Sequence, residues 1–298
     1  MKRQVFLALL LCIALNVFSQ NDSAAFVHGA WLSERIEGLV LRRCQFKHES
    51  LFSSNQQILV WELAPTADFA LRLAYRPERT KTSDMAREQH AVAAVNGSFF
   101  DMGRHYPVLF LRIDGVDLGQ TSQGEAKLAL DDYQFGTLAM VHDSIFILKT
   151  DTVPQWEEGL PYPNMMTARP LLLFDGKTLP LREDLSFVSD RHNRTAVGIR
   201  ADGTVLLVVV DGRAPEASGM SLQELQQVMW WLGCHTALNL DGGGSTTFYA
   251  DWGGNHGVLN CPSDNGRFDH EGERTVSNAV LIVRKPKTES NPMFLLAW

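Results

Sequence analysis

The sequence predicts an α+β (mixed α/β) fold: a single compact domain on a mixed, largely antiparallel sheet with at least one parallel strand–helix–strand crossover. Three observations carry this expectation. Short apolar runs recur along the chain with turn residues between them, the pattern of a many-stranded sheet. One segment, Gly219–Cys234, has a well-defined helical period. It lies between two apolar runs of strand length, and that order at that spacing predicts a right-handed crossover joining parallel strands.

Taken in order, GLVLRRCQF (38–46), QQILVWEL (56–63) and FALRLAY (69–75) read as strands, with Pro65 and Pro77 as turn signals. TSDMAREQH (82–90) reads as a short helix leading into AVAAV (91–95), an all-small apolar run that suits a buried strand. VLFLRI (108–113), IFILK (145–149), PLLLF (170–174) and TAVGI (195–199) are further strands, punctuated by Asp-Gly at 114–115, 175–176 and 202–203. In GMSLQELQQVMWWLGC, Ser221 and Glu224 form a capping-box pair, so hydroxyl and carboxylate satisfy free amides of the first turn. Leu222, Leu225, Val228, Met229 and Leu232 fall on one helical face, and Gly233 stops the helix.

The chain has 298 residues, 45% hydrophobic, enough to bury a substantial core. Its formal net charge of −7 argues against nucleic acid as a partner and gives no attraction to anionic membranes. The amino terminus, MKRQVFLALLLCIALNVFSQ, has a basic head, an apolar run from Val5 to Phe18 and then small Ser19. That is a secretory signal, and the run is shorter than the roughly twenty residues needed to span a bilayer. The expected organisation is a signal over 1–19, a polar lead-in over 20–30, the domain over 31–285 and a tail over 286–298. The mature protein is expected to be exported, periplasmic or extracellular, without stable membrane insertion. Cys44, Cys234 and Cys261 remain, allowing at most one internal disulfide.

The chemistry is expected at strand ends. Asp211 follows the apolar run 204–210, and Asp241 follows 236–240. Parallel strands would bring both carboxylates to the same edge, where sheets with crossover helices place ligand crevices. AVAAV likewise runs into Asn96, at the head of a segment that ends in Asp101, a candidate substrate contact. Most Asx-Gly pairs simply make turns, and Asp114, Asp175 and Asp202 are read so. After Asp241 come Gly242, Gly243 and Gly244, then Ser245 and Thr246: bare amides and hydroxyls able to cradle an anion. Phosphate also needs positive charge, and Arg194 and Arg274 each precede a threonine at the start of a strand-like run. No histidine or carboxylate pattern asks for a metal, no cofactor is expected, and no Gly-x-Ser-x-Gly marks a serine hydrolase.

Six ordered segments, AVNGSFFD, RPLLLFDG, RTAVGI, VVVDGRAPEASGMSLQEL, ALNLDGGGSTTF and RTVSNAVLIV, together resemble the phosphodiester glycosidase family, that of N-acetylglucosamine-1-phosphodiester α-N-acetylglucosaminidase. The resemblance runs from about Val92 to Val283. It implies hydrolysis of a sugar C1–O bond whose oxygen belongs to a phosphodiester, on a phosphorylated or envelope carbohydrate. An oxocarbenium-like transition state wants a carboxylate near the anomeric carbon, from Asp241 or Asp211. Charge developing on the departing phosphate would be met by Arg194, Arg274 and the 242–244 amides, with Asn96 holding sugar hydroxyls or phosphate. Two other classes stay open: a non-catalytic glycan-binding module of the same fold, and a phosphodiesterase cleaving P–O.

Overall fold

The computed structural model describes residues 22–121, 134–150 and 156–286. The expected signal segment lies outside the described residues, as does all but the first residue of the expected tail. Residues 22–27 are helical and lower Phe26 into the core against Phe46 and Trp231.

Strands β1 (Leu32–Ile36), β2 (Leu39–Leu51) and β3 (Ser54–Leu63) form an antiparallel meander. Then β4 (Phe69–Lys81), helix α1 (Thr82–Glu88) and β5 (Ala93–Asn96) begin a second layer. A small sheet follows with β6 (Leu111–Ile113), β7 (Val116–Gly119), β8 (Gly136–Val141), β9 (Ser144–Lys149) and β10 (Asn164–Ala168). The chain returns through β11 (Leu171–Phe174), β12 (Lys177–Thr178), helix α2 (Ser186–Ser189), β13 (Arg194–Arg200), β14 (Val205–Val210), helix α3 (Leu222–Trp231) and β15 (Cys234–Asn239). It closes with β16 (Phe248–Ala250) and β17 (Thr275–Arg284). Three sheets result, ordered β1-β2-β3-β14-β13-β15-β11-β12, β7-β6-β10-β8-β9 and β16-β5-β17-β4.

The expectation of a mixed α/β sheet with a parallel crossover is overturned. The molecule is mostly antiparallel sheet with short helices, and every hydrogen-bonded strand pair among the described residues is antiparallel. The reason lies in β13. It forms a hairpin with β14 (Val197 opposite Leu207) and also bonds to β15 (Val197 opposite Leu238). Helix α3 therefore carries the chain across β13, so β14 and β15 run the same way without touching. Their carboxyl ends, and hence Asp211 and Asp241, leave the sheet at one edge.

Strand alternation builds the layers. In β14, Val205, Leu207 and Val209 face a core shared with β5, β17 and the small sheet, while Leu206, Val208 and Val210 face α3. Helix α3 buries Leu222, Leu225, Val228 and Met229 there, each side chain contributing about 1.5–3 kcal/mol of burial. Its capping box forms: the Ser221 hydroxyl accepts from Glu224 N at 3.2 Å, and the Glu224 carboxylate accepts from Ser221 N at 2.9 Å. Asp114-Gly115 and Asp175-Gly176 have positive φ at both residues, as two-residue hairpin turns of the right twist require. The three cysteines are separate, buried thiols, each pushed well up by burial, Cys44 to about 11 and Cys234 and Cys261 to about 12.

Candidate functional site

The site forms where β5, β14 and β15 end and β13 begins. Asn96, the last residue of β5, is buried at the centre. Its Oδ1 accepts from the Thr195 hydroxyl at 2.7 Å and from Thr247 N at 3.2 Å, and its Nδ2 donates to the backbone carbonyl of Asp241 at 2.6 Å. Asp241 N in turn donates to Gly97 O at 3.1 Å. Asn96 thus holds the backbone of the acid, and its own polar atoms are spent within the protein.

The two expected carboxylates have different surroundings. Asp211 is fully buried and accepts from Gln57 Nε2 at 2.7 Å, Asn260 Nδ2 at 2.9 Å and Cys261 N at 3.0 Å. Burial raises its pKa in spite of these donors. It ties β3 and the 260–261 segment to the end of β14. Asp241 keeps partial exposure. Burial pushes its carboxyl up to about 6, against the Ser245 hydroxyl, the Gly242 amide and the Arg274 and Arg169 charges, which act to lower it. A carboxyl in that range is ionised near neutral pH and still within reach of a proton.

The turn after Asp241 spends most of its amides on itself. Gly242 N donates to the Asp241 carboxylate at 2.9 Å and Gly243 N to Asn193 O at 2.8 Å. Ser245 N and Thr246 N donate to Gly242 O and Gly243 O at 3.2 Å each. The need for glycine is steric. Gly243 has φ +61 and lies against Arg213, and a side chain on Gly244 would overlap the Arg274 guanidinium and the Asp264 carboxylate. The donors left over are side chains. Asn193 Nδ2 is fully buried and has no hydrogen-bond partner, while the buried Ser245 hydroxyl is turned to the Asp241 carboxylate. A buried donor left unpaired costs about 1–3 kcal/mol, so Asn193 Nδ2 is a group that an acceptor at this turn would satisfy.

Positive charge surrounds the turn. Arg274 is held by Asp264 at 2.8 Å. Arg169 follows β10 and places its guanidinium 5.0 Å from the ring centres of both Phe99 and Phe187. Arg213, with φ +63, reaches His192 Nδ1 at 3.4 Å. Burial and then the Arg194 and Arg213 charges hold His192 below its usual pKa.

Arg194 is buried, and its guanidinium donates to three backbone carbonyls: Met220 at 2.8 Å, Asp190 at 2.8 Å and Phe187 at 3.1 Å. Desolvation lowers its pKa to about 10. Asp101 stands apart from this network, accepting from Gly103 N and Arg104 N at 2.8 and 2.7 Å to cap its own turn. Thr246 is buried, its hydroxyl 3.4 Å from that of Thr195. Arg191, another basic residue of the Arg194 segment, is paired with Glu224. Among the described residues no group of three or more His, Cys, Asp or Glu side chains is placed to share an ion.

Sequence reasoning missed Asn193, Arg169, Arg213 and Asn260. Arg169 stands inside RPLLLFDG, where an arginine before a proline between two strand runs is the available signal. Arg213 stands inside VVVDGRAPEASGMSLQEL and Asn193 directly before Arg194, but their contacts, like those of Asn260, join loops far apart in the chain and leave no local pattern.

A family model described as phosphodiester glycosidase matches residues 89–283. The chain belongs to the phosphodiester glycosidase family. A 56-residue stretch is 41% identical to the SPbeta prophage-derived uncharacterized protein YomE of Bacillus subtilis, covering 19% of this chain and 9% of that one. The fold is similar to the zebrafish N-acetylglucosamine-1-phosphodiester alpha-N-acetylglucosaminidase catalytic domain, described as auto-inhibited by its pro-peptide. There the TM-score is 0.62 at 15% identity, over 88% of this chain and 93% of the other. It is also similar to a hypothetical protein from Synechocystis, with TM-score 0.60 at 16% identity, over 85% of this chain and 63% of that one. In the Bacillus and Synechocystis matches the chain thus spans less than two thirds of its relative. The phosphodiester glycosidase match takes in Asn96, Asp211, Asp241 and the triple-glycine turn.

Proposed function

We propose that this chain is an exported hydrolase that cleaves the sugar C1–O bond of a sugar-1-phosphodiester, with Asp241 acting at the anomeric carbon. The observation that carries the reading is the surroundings of Asp241. A partly exposed carboxylate with a pKa of about 6 stands beside the unpaired buried donor Asn193 Nδ2, among the Arg169, Arg213 and Arg274 charges.

The chemistry follows from charge. As the C1–O bond breaks, positive charge grows on the sugar and negative charge on the phosphate. Asp241 meets the first as an ionised carboxylate, and the arginines with Asn193 Nδ2 meet the second. A phosphate leaves as an anion, so it needs little protonation. Asp211, sealed by its three donors, acts as a positioning group that holds Asn260 and so the Thr246 carbonyl, which Asn260 Nδ2 reaches at 3.2 Å. Arg194 acts similarly, fixing the 187–194 segment that presents His192 and Asn193.

The test is hydrolysis of a sugar-1-phosphodiester in heavy-oxygen water. Label in the released sugar supports C1–O cleavage. Label in the phosphate sinks the reading and makes the protein a phosphodiesterase, and binding without turnover makes it a glycan-binding module.

A further inference from the structure

A cavity of about 610 Å³ opens beside β2 and β3 and is bounded on its other side by the 259–270 loop. Arg43, Gln45 and Lys47 occupy alternate positions of β2, so their side chains leave the same face of the sheet. Register puts Gln45 opposite Gln57, which adds a second amide to that face. The loop contributes Phe268 and His270, whose Nδ1 is engaged with Asn260 O at 2.7 Å.

The charge here departs from that of the chain. The protein carries 34 acidic against 27 Lys and Arg residues, yet no carboxylate lines this cavity among the described residues. Arg42, on the opposite face of β2, is tied to Glu62 at 3.0 Å. The exposed side chains of Arg43 and Lys47 have no hydrogen bond or ion pair among the described residues. Arg43 and Lys47 lie about 13 Å apart along the strand with Gln45 between them, so their long side chains can reach one anionic group held over Gln45.

The floor of the cavity also connects to the candidate site. Gln57 Nε2 donates to Asp211, Asn260 Nδ2 donates both to Asp211 and to Thr246 O, and the Thr246 hydroxyl meets Thr195 beside Asn96. The two regions share one wall, since Cys261 lines the cavity while Asp264 holds Arg274 against Gly244.

We propose that this cavity is a second subsite, which holds a phosphate group carried on a glycan between Arg43 and Lys47. Gln45 donates to a sugar hydroxyl, the Gln57 amide oxygen accepts from one, and Phe268 lies against an apolar sugar face. The inference extends the proposed function to a substrate with an anionic group beyond the scissile phosphodiester, and for that substrate's identity it rests on that reading.

Calorimetry with the Asp241→Asn protein measures binding of a phosphomannan oligosaccharide without turnover. Adding Arg43→Ala and Lys47→Ala together weakens binding by at least about ten-fold, since two charge-assisted contacts are lost. The same oligosaccharide stripped of phosphate binds both proteins alike. Both substituted side chains are exposed, so the melting temperature stays unchanged. Equal affinity of the two proteins for the phosphorylated oligosaccharide overturns the proposal, as does an absence of binding to either. Inorganic phosphate that binds as tightly as the oligosaccharide removes the glycan from the assignment and overturns it too. Sugar release by the Asp241→Asn protein counts instead against the role proposed for Asp241 and leaves the binding comparison intact.

Discussion

The side-chain amide of Asn96 donates to the backbone carbonyl of Asp241 at 2.6 Å, joining positions 145 residues apart in the chain. The end of β5 is thereby locked to the end of β15, and the acid is set by an interaction that involves none of its carboxylate oxygens. The carboxylate stays outside the lock, with its Oδ1 accepting from Gly242 N at 2.9 Å.

Asn96→Ala tests that lock. It strands Thr195 Oγ1, Thr247 N and the Asp241 carbonyl, all inside the protein. Stability falls by about 2–4 kcal/mol, measured by denaturant unfolding. Turnover falls more than substrate affinity, because the carboxylate loses its placement.

Asp241 gives a pH signature of definite sign. Its folded pKa of about 6 lies above the ordinary carboxylate value of roughly 3.9, so folding favours the protonated form. The associated stability is fully present below the unfolded value and is lost as pH rises through about 6. Asp241→Asn lacks this slope, and unfolding of both proteins between acid and neutral pH shows the variant gaining relative to the parent. Activity has the opposite trend: kcat/KM of the parent rises with pH through about 6 as the carboxylate forms, and the variant loses on the order of 10²–10⁴-fold.

Arg194→Ala is a stability variant. Removing the guanidinium leaves three carbonyls, of Met220, Asp190 and Phe187, without their donor. The cost is about 3 kcal/mol or more, seen as a lowered melting temperature. Arg194→Lys recovers part of it. A melting temperature unchanged in the Ala variant contradicts a positioning role for Arg194.

Gly244→Ala separates site from fold. The added methyl meets only the ends of the Arg274 and Asp264 side chains, which can swing away. Stability falls by the roughly 1–3 kcal/mol of a crowded position, while sugar release falls about ten- to a hundred-fold as Arg274 withdraws. Normal turnover in this variant removes Arg274 from the site.

Much of the fold is legible from local pattern. The run AVAAV becomes β5, the capping box of Ser221 and Glu224 forms, and the Asp-Gly pairs at 114–115 and 175–176 make their turns, because each depends on residues within a few positions of one another. The order of strands is not legible. Nothing in TAVGI says that β13 inserts between β14 and β15, so a helix between two apolar runs suggests a parallel pair that the sheet does not contain.

The same division separates the site residues. Residue identity marks Asn96, Asp211 and Asp241 as candidates, since a polar side chain closing an apolar run lies at a strand end. Only the folded molecule distinguishes Asp211, enclosed by Gln57, Asn260 and Cys261, from Asp241, left partly open among three arginines and the unpaired Asn193 amide. Local periodicity reports which face a residue takes. Burial and electrostatic surroundings are sums over neighbours that become adjacent only when distant segments pack.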